Sequence, residues 1–271
     1  MGRGYLVVQE TTKALNHMTP LPDNLVLLHE GEETLRGKAL EIVAANKALQ
    51  EHLAITERAM NVLDVYVRQQ VAEDDDGRAI QHLGIRVFNG LACSWKLTST
   101  GYHQKAAMIQ RDLVETISLV NYLHYFPDQV AAWRVADRTA LIREFGPHQI
   151  RKALDARTGA GKSRREAIYQ KFSMLAAHPS KLGFEMLRPQ GGDGAVIGPF
   201  MDPAALRGLL EEQGTLAVQA GFAFLTFLTK NTPVTRLATR TFLTNAMVYA
   251  NAYLGMSYSS EEIAEFERAF A

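Results

Sequence analysis

The sequence predicts an all-α fold, a multi-helix bundle with a long amphipathic helix in its N-terminal part and a Gly/Pro-rich loop ahead of its C-terminal helices. Three observations carry this. Apolar residues recur at helical spacing along most of the chain. Asp and Ser stand where helices need caps, at Asp202 with Pro one residue later. Strand-like runs are confined to 5–9 and 195–197, with no alternation of strands and helices. The 271 residues are expected to form one domain, with an arm over 1–22, a helical core over 23–186, a loop over 187–201 and C-terminal helices over 202–271.

The elements follow in order. From Leu49 onward, Leu53, Met60, Leu63, Val67 and Val71 repeat at helical spacing, with Glu51, Glu57, Arg58, Asp64 and Arg68 between them. Asp74-Asp75-Asp76-Gly77 ends this helix, and a second over 78–96 turns Ile80, Leu83, Val87, Phe88, Leu91 and Trp95 inward. After a turn at 98–101, a third helix over 102–126 stops at Pro127. That proline opens a fourth helix carrying Val130, Trp133, Ala136, Leu141 and Phe145, and Gly146-Pro147 separates it from a fifth around 150–156. Ser163 and Glu166 form a capping box for the next helix, which Pro179 terminates just after His178. Gly191, Gly192, Gly194 and Gly198 with Pro189 and Pro199 mark the clearest loop. Asp202-Pro203 opens a long apolar helix reaching Lys230. Asn231-Thr232-Pro233 breaks it, and two helices follow, one over 235–254 and one capped by Ser259 with Glu262.

With 47% hydrophobic and 21% charged residues, the composition excludes disorder and low-complexity architecture. Lys+Arg and Asp+Glu are equal at 29 each, so no bulk field draws the protein toward nucleic acid or anionic lipid, and any such binding is local. Cys93 is the sole cysteine, which excludes an intramolecular disulfide framework and any multi-Cys zinc site; its apolar neighbours in 91–95 read it as a small core residue. Neither Glu-x-x-His nor His-Glu-x-x-His occurs, so no metal site and no cofactor are expected. The first residues lack the apolar run of a signal peptide, Leu6 breaks the myristoylation pattern, and the most apolar stretch, 216–229, is short of a membrane span. A cytoplasmic protein without a membrane partner is expected.

Four clusters are candidates for chemistry. Residues 156–163 fit a relaxed phosphate-loop pattern, yet what precedes them reads as helix, so a capping loop is the expected reading. In the third helix the only charged residues from 106 to 126 are Arg111, Asp112 and Glu115. That helix is expected to be central and largely buried, with Arg111 and Glu115 paired one turn apart, as a structural ion pair or as a polar active-site floor. Between Arg143 and Lys171, Arg151, Lys152, Lys162, Arg164 and Arg165 belong to a stretch with a net charge of 8 − 3 = +5, which reads as an anion-binding face or a solvated surface. His178, at a helix end, is either a C-terminal cap or an acid/base.

With Arg111-Asp112-Leu113-Val114-Glu115-Thr116, Ala136-Asp137-Arg138 and the run Tyr169 to Pro179, the chain resembles bacterial all-helical proteins that are distantly similar to the HEPN superfamily. The resemblance covers roughly 101–200. HEPN ribonucleases carry an Arg followed four to six residues later by His on one helix. Here Arg143 and His148 have that spacing with Gly146-Pro147 between them, and the position six before His178 is Phe172. The expectation is an HEPN-like protein that binds or cleaves RNA or another phosphate-bearing ligand, without a metal if it is a ribonuclease. In it Arg111 and Arg138 hold negative charge, Glu115 orients Arg111 and His178 serves as acid/base. The alternative is a non-catalytic homodimeric interaction protein in which the Arg111–Glu115 pair is structural. Either way a homo-oligomer is expected.

Overall fold

A computed structural model describes residues 22–159, 164–177, 180–192 and 194–269. Among them the chain is all-α, without a strand. The helices are α1 (Asp23–Ala44), α2 (Lys47–Gln69), α3 (Asp75–Ser99), α4 (His103–Tyr125), α5 (Gln129–Val135), α6 (Arg138–Glu144), α7 (Pro147–Thr158), α8 (Arg164–Phe172), α9 (Lys181–Glu185), α10 (Pro203–Leu225), α11 (Pro233–Tyr253) and α12 (Ser260–Ala269), with a π-helical turn over Ser173–Ala177 after α8. No helix is long and apolar enough to cross a membrane.

The centre of the bundle is α2, α3, α4 and α10, each packed on the others or on two of them, with α11 laid along α2. One apolar cluster joins these five helices through Leu63, Tyr66, Val87, Leu113, Val120, Phe224 and Phe242. Leu and Phe at helical spacing on each inner stripe explain why burial is continuous from helix to helix. Buried polar groups are used to stitch the same helices together. Gln110 of α4 donates to Ser94 Oγ of α3 at 3.2 Å and to the Leu209 carbonyl of α10 at 2.8 Å. The carboxamide thereby spends its buried donors on acceptors of two neighbouring helices.

Several expectations need correcting. A helix not singled out in the sequence, α1, precedes the long amphipathic one, and Asn46 caps the latter by accepting from Leu49 N–H at 3.2 Å. The Asp74–Asp76 run does not end α2, which stops earlier, at Gln69. Asp74 caps α3 through Gly77 N–H, and Asp75 and Asp76 sit in its first turn, where the helix dipole favours them. The fourth helix is two: α5 ends at Val135, Ala136 is extended, and Asp137 restarts the chain as α6 by accepting from Ala140 N–H at 2.8 Å. The α10 helix stops at Leu225, short of Lys230. The run 195–197 is loop, while 5–9, Ser163 and His178 lie outside the described residues. Cys93 is exposed, not core: two residues on from the buried Leu91 is about 200° around a helix, which turns the thiol outward.

The loop before α10 is anchored at both ends of its return. Asp202 accepts from Ala204 and Ala205 N–H as the cap of α10, and its other oxygen accepts from Gln190 N–H at 2.8 Å. Burial pushes the Asp202 carboxyl up, and these backbone donors outweigh it, so the group titrates below the usual carboxylate range. Beside it His103 is 2% exposed, edge-on to Phe200, and neither ring nitrogen meets a hydrogen-bond partner. Burial lowers the His103 pKa, with the Asp202 carboxylate and the Phe200 backbone opposing it less strongly. His52, buried against Tyr249, is lowered for the same first reason.

These shifts have one sign. A depressed folded pKa gives stability that is complete above the unfolded pKa and lost as pH falls through the folded one. The melting temperature is therefore expected to hold above neutral pH, to decline below about 6.5 as His52 and His103 are forced to charge, and to decline again below the carboxylate range as Asp202 protonates. Melts across that range check this, and His103→Gln should flatten part of the first decline. A curve indifferent to acid down to the carboxylate range would contradict the burial of both rings.

Candidate functional site

Helix α4 has one side in the central core, through Leu113, Ile117, Val120 and Leu123, and faces α7 and α8 on another. On that second side Leu119 and Tyr122 meet Phe145, Ile150 and Leu154 of a smaller cluster. The short helices α5 to α7 cover α4 incompletely. Between them lies an open cleft of about 470 Å³, within the size range of small-molecule sites.

The cleft is two-sided in chemistry. Trp133, Leu141, Phe145 and Ile150 supply an apolar wall, while Arg86, Asp112, Glu115, Thr116, Arg151 and Tyr169 supply a polar one. Arg86 of α3 pairs with Asp112 of α4, and its Nε lies 3.3 Å from Thr116 Oγ1. Two cations and two carboxylates thus line the same space, so the cleft is charge-balanced within itself.

Behind this wall two guanidiniums share one ring. Arg151 stacks over Tyr169 with its central carbon 4.0 Å from the ring centroid, and Arg111 approaches the same ring at 4.9 Å. Arg111 Nη2 donates to the Tyr169 hydroxyl at 2.6 Å and its Nε to Ser173 Oγ at 3.1 Å. Its Nη2 also lies 2.8 Å from Glu115 Oε1, close enough for an ion pair, although that oxygen is not aligned to accept a hydrogen bond. The pair is partly buried, at 23% and 28% exposure, so α4 presents it at the edge of the core.

Arg151 is the most enclosed of these cations, with its side chain 7% exposed. Its Nε and Nη2 both point at Glu166 Oε2, at 3.0 and 2.9 Å, and its Nη1 is buried with no protein partner. Glu166 in turn accepts from Gln170; that bond first, and Arg151 after it, hold its carboxyl below the usual range. The local cause is register. Arg151 lies on the inner stripe of α7 with Ile150 and Leu154, and Tyr169 and Ser173 lie one turn apart on α8 and the π turn that continues it.

The structure brings Arg111, Glu115 and Arg151 together. Of the basic stretch, Arg151 turns inward and Lys152 is exposed, and Arg138 is exposed at the first position of α6, outside the cleft lining. Lys162 and His178 lie outside the described residues, as do the side chains of Arg164 and Arg165. Arg86, Asp112, Trp133 and Tyr169 join the site without having been singled out as site residues. Asp112 and Tyr169 stood within segments already noted and Trp133 among the residues of the fourth helix, whereas nothing in the sequence pointed to Arg86. No three His, Cys, Asp or Glu side chains converge as a metal site among the described residues.

Compared with known proteins, the chain matches no family model, no curated protein and no solved structure.

Proposed function

We propose that the protein binds a phosphate-bearing ligand with a planar ring, a nucleotide or the end of an RNA strand, in the cleft between α4 and α7. One observation carries the reading: a guanidinium with an unspent donor, Arg151, lines a cleft that also holds Trp133, Phe145 and Tyr169. Guanidinium forks bind phosphate bidentately, and aromatic walls accept a base by stacking. Because Asp112 and Glu115 line the same space, an anion meets like charge there and gains from the free Nη1 of Arg151 and from drawing Arg86 away from Asp112, which favours a multiply charged phosphate over a monoanion.

The geometry supports binding more than turnover. Among the described residues no histidine lines the cleft, and the candidate acid/base His178 is outside them. An HEPN-like relationship and a ribonuclease activity are compatible with an RNA end as the ligand, and neither is needed to account for the cleft.

Trp133 provides the test, with Trp95 changed to Phe so that one indole reports. Adenosine monophosphate and a short single-stranded RNA are expected to change its fluorescence saturably, and adenosine to bind more weakly. Arg151→Lys, which keeps the charge and loses the fork, is expected to weaken nucleotide binding about tenfold or more. No saturable change at millimolar nucleotide, or equal binding of adenosine and its monophosphate, would remove the proposal.

A further inference from the structure

A second cavity, of about 520 Å³, opens where the end of α10 turns into α11. Leu225, Leu228 and Leu243 form its apolar floor, and Lys230 and Arg236 stand among its polar lining. Its electrostatics differ from those of the first cleft, because no carboxylate lines it.

The sequence shows how far that asymmetry extends. From Gln213 to Ser260 the chain contains no aspartate or glutamate, and its charged residues there are Lys230, Arg236 and Arg240. At the chain's overall frequency of 29 acids in 271 residues, about five would fall in such a stretch. In space the same holds. Among the described residues no carboxylate is within 4.0 Å of Lys230, Arg236 or Arg240, and the Arg236 guanidinium donates to the Asn231 side chain at 3.3 Å. Of the acidic residues where α2 meets α3, Asp74 caps α3, Asp75 and Asp76 pair with Arg78 and Arg134, and the exposed Glu73 comes within 4.0 Å of none of the three cations.

The position of Lys230 is fixed from below. Gln70 Oε1, at the end of α2, accepts from Thr229 N–H and hydroxyl at 3.1 Å and from Lys230 N–H at 3.3 Å. The first turn of α11 is already satisfied by its own capping box, in which Thr232 and Thr235 bond to each other's backbone N–H. The cations, not the helix end, are therefore what remains to be answered.

We infer that this cavity binds an amphiphilic anion, with its acidic head on Lys230 and Arg236 and its apolar chain on Leu225, Leu228 and Leu243. Uncompensated cations at the rim of an apolar floor suit that class. A bare inorganic ion leaves the floor wet, and a neutral hydrocarbon leaves the cations unanswered. Gln70 holds the loop in its binding conformation beforehand, so little ordering remains to oppose association.

Calorimetric titration of the full chain with decanoate, below its micelle concentration, tests this. The expected result is saturable 1:1 binding, with decyltrimethylammonium and inorganic phosphate each at least about tenfold weaker. The double variant Lys230→Glu/Arg236→Glu alters two exposed side chains and is expected to melt as the parent does while losing decanoate at least about tenfold. Thr239→Trp fills the cavity with both cations kept, and should lose binding as well. Equal affinity for decanoate and its cationic analogue, affinity indifferent to charge reversal, or binding to phosphatidylglycerol vesicles without binding of monomeric decanoate would each overturn the inference.

Discussion

Phe224→Ala is expected to cost about 3–5 kcal/mol of stability, the range for removing a buried aromatic ring. Phe224 is fully buried where α2, α3 and α10 meet. Its ring centroid lies 5.3 Å from that of Tyr66, and a Cβ on Gly84 would come within 3.2 Å of its edge. Three helices therefore close around one ring, and the space left by alanine is walled by backbone and by Tyr66, neither free to fill it. Urea denaturation measures the loss, and the melting temperature should fall by roughly 10 °C. A cost below about 1 kcal/mol would mean that the three helices do not converge there.

Gly101→Ala should come next, at about 2 kcal/mol or more, through two separate effects. Gly101 has φ +87°, where a side chain is strained in any surroundings. In addition, an added Cβ would stand 2.5 Å from the Phe200 carbonyl oxygen, and this neighbour is backbone that cannot rotate away. Phe200 N–H donates to the Gly101 carbonyl at 3.3 Å, so the substitution pushes the loop before α10 off the α3–α4 turn. A melt registers the strain, and increased proteolytic nicking in 186–200 registers the detached loop. A variant as stable and as resistant as the parent would show that the loop is not seated on this glycine.

How much of this was legible in the sequence depended on the range of each signal. Caps are local, and so Asp202-Pro203 and Ser259 with Glu262 point to the helix starts the structure has, while Thr232-Pro233, read as a break, is itself the cap and first position of α11. The break between α5 and α6 is also local but ambiguous, since Ala136 favours helix and Asp137 looks like any exposed acid until its side chain accepts Ala140 N–H. Composition has no direction within the basic stretch: Arg151 and Lys152 differ by 100° around α7, enough to place one against Tyr169 and the other in solvent.

The Arg111–Glu115 pair could be read from its spacing, since one turn suffices. The Arg86–Asp112 pair could not, because it joins two helices whose rotation about their axes is set by the packing of Leu113 on Gly90 and of Phe224 on Gly84. The cleft inherits this limit. Its lining comes from α3 through α8, and no single segment carries its pattern.

Helix α1 divides itself unequally. Its residues up to Gly31 are exposed, Glu32 receives the Tyr102 hydroxyl, and only Ala39 and Val43 are buried. Leu25, Leu27 and Leu28 consequently add little to cohesion, and a Cβ at Gly31 or Gly37 would meet nothing within 4 Å. The first half of α1 is thus where substitutions accumulate at least cost to the bundle, whereas its last two turns must co-vary with Leu49 and Leu206, against which they pack. One helix spans two regimes of mutational tolerance, and their border lies just before Ala39.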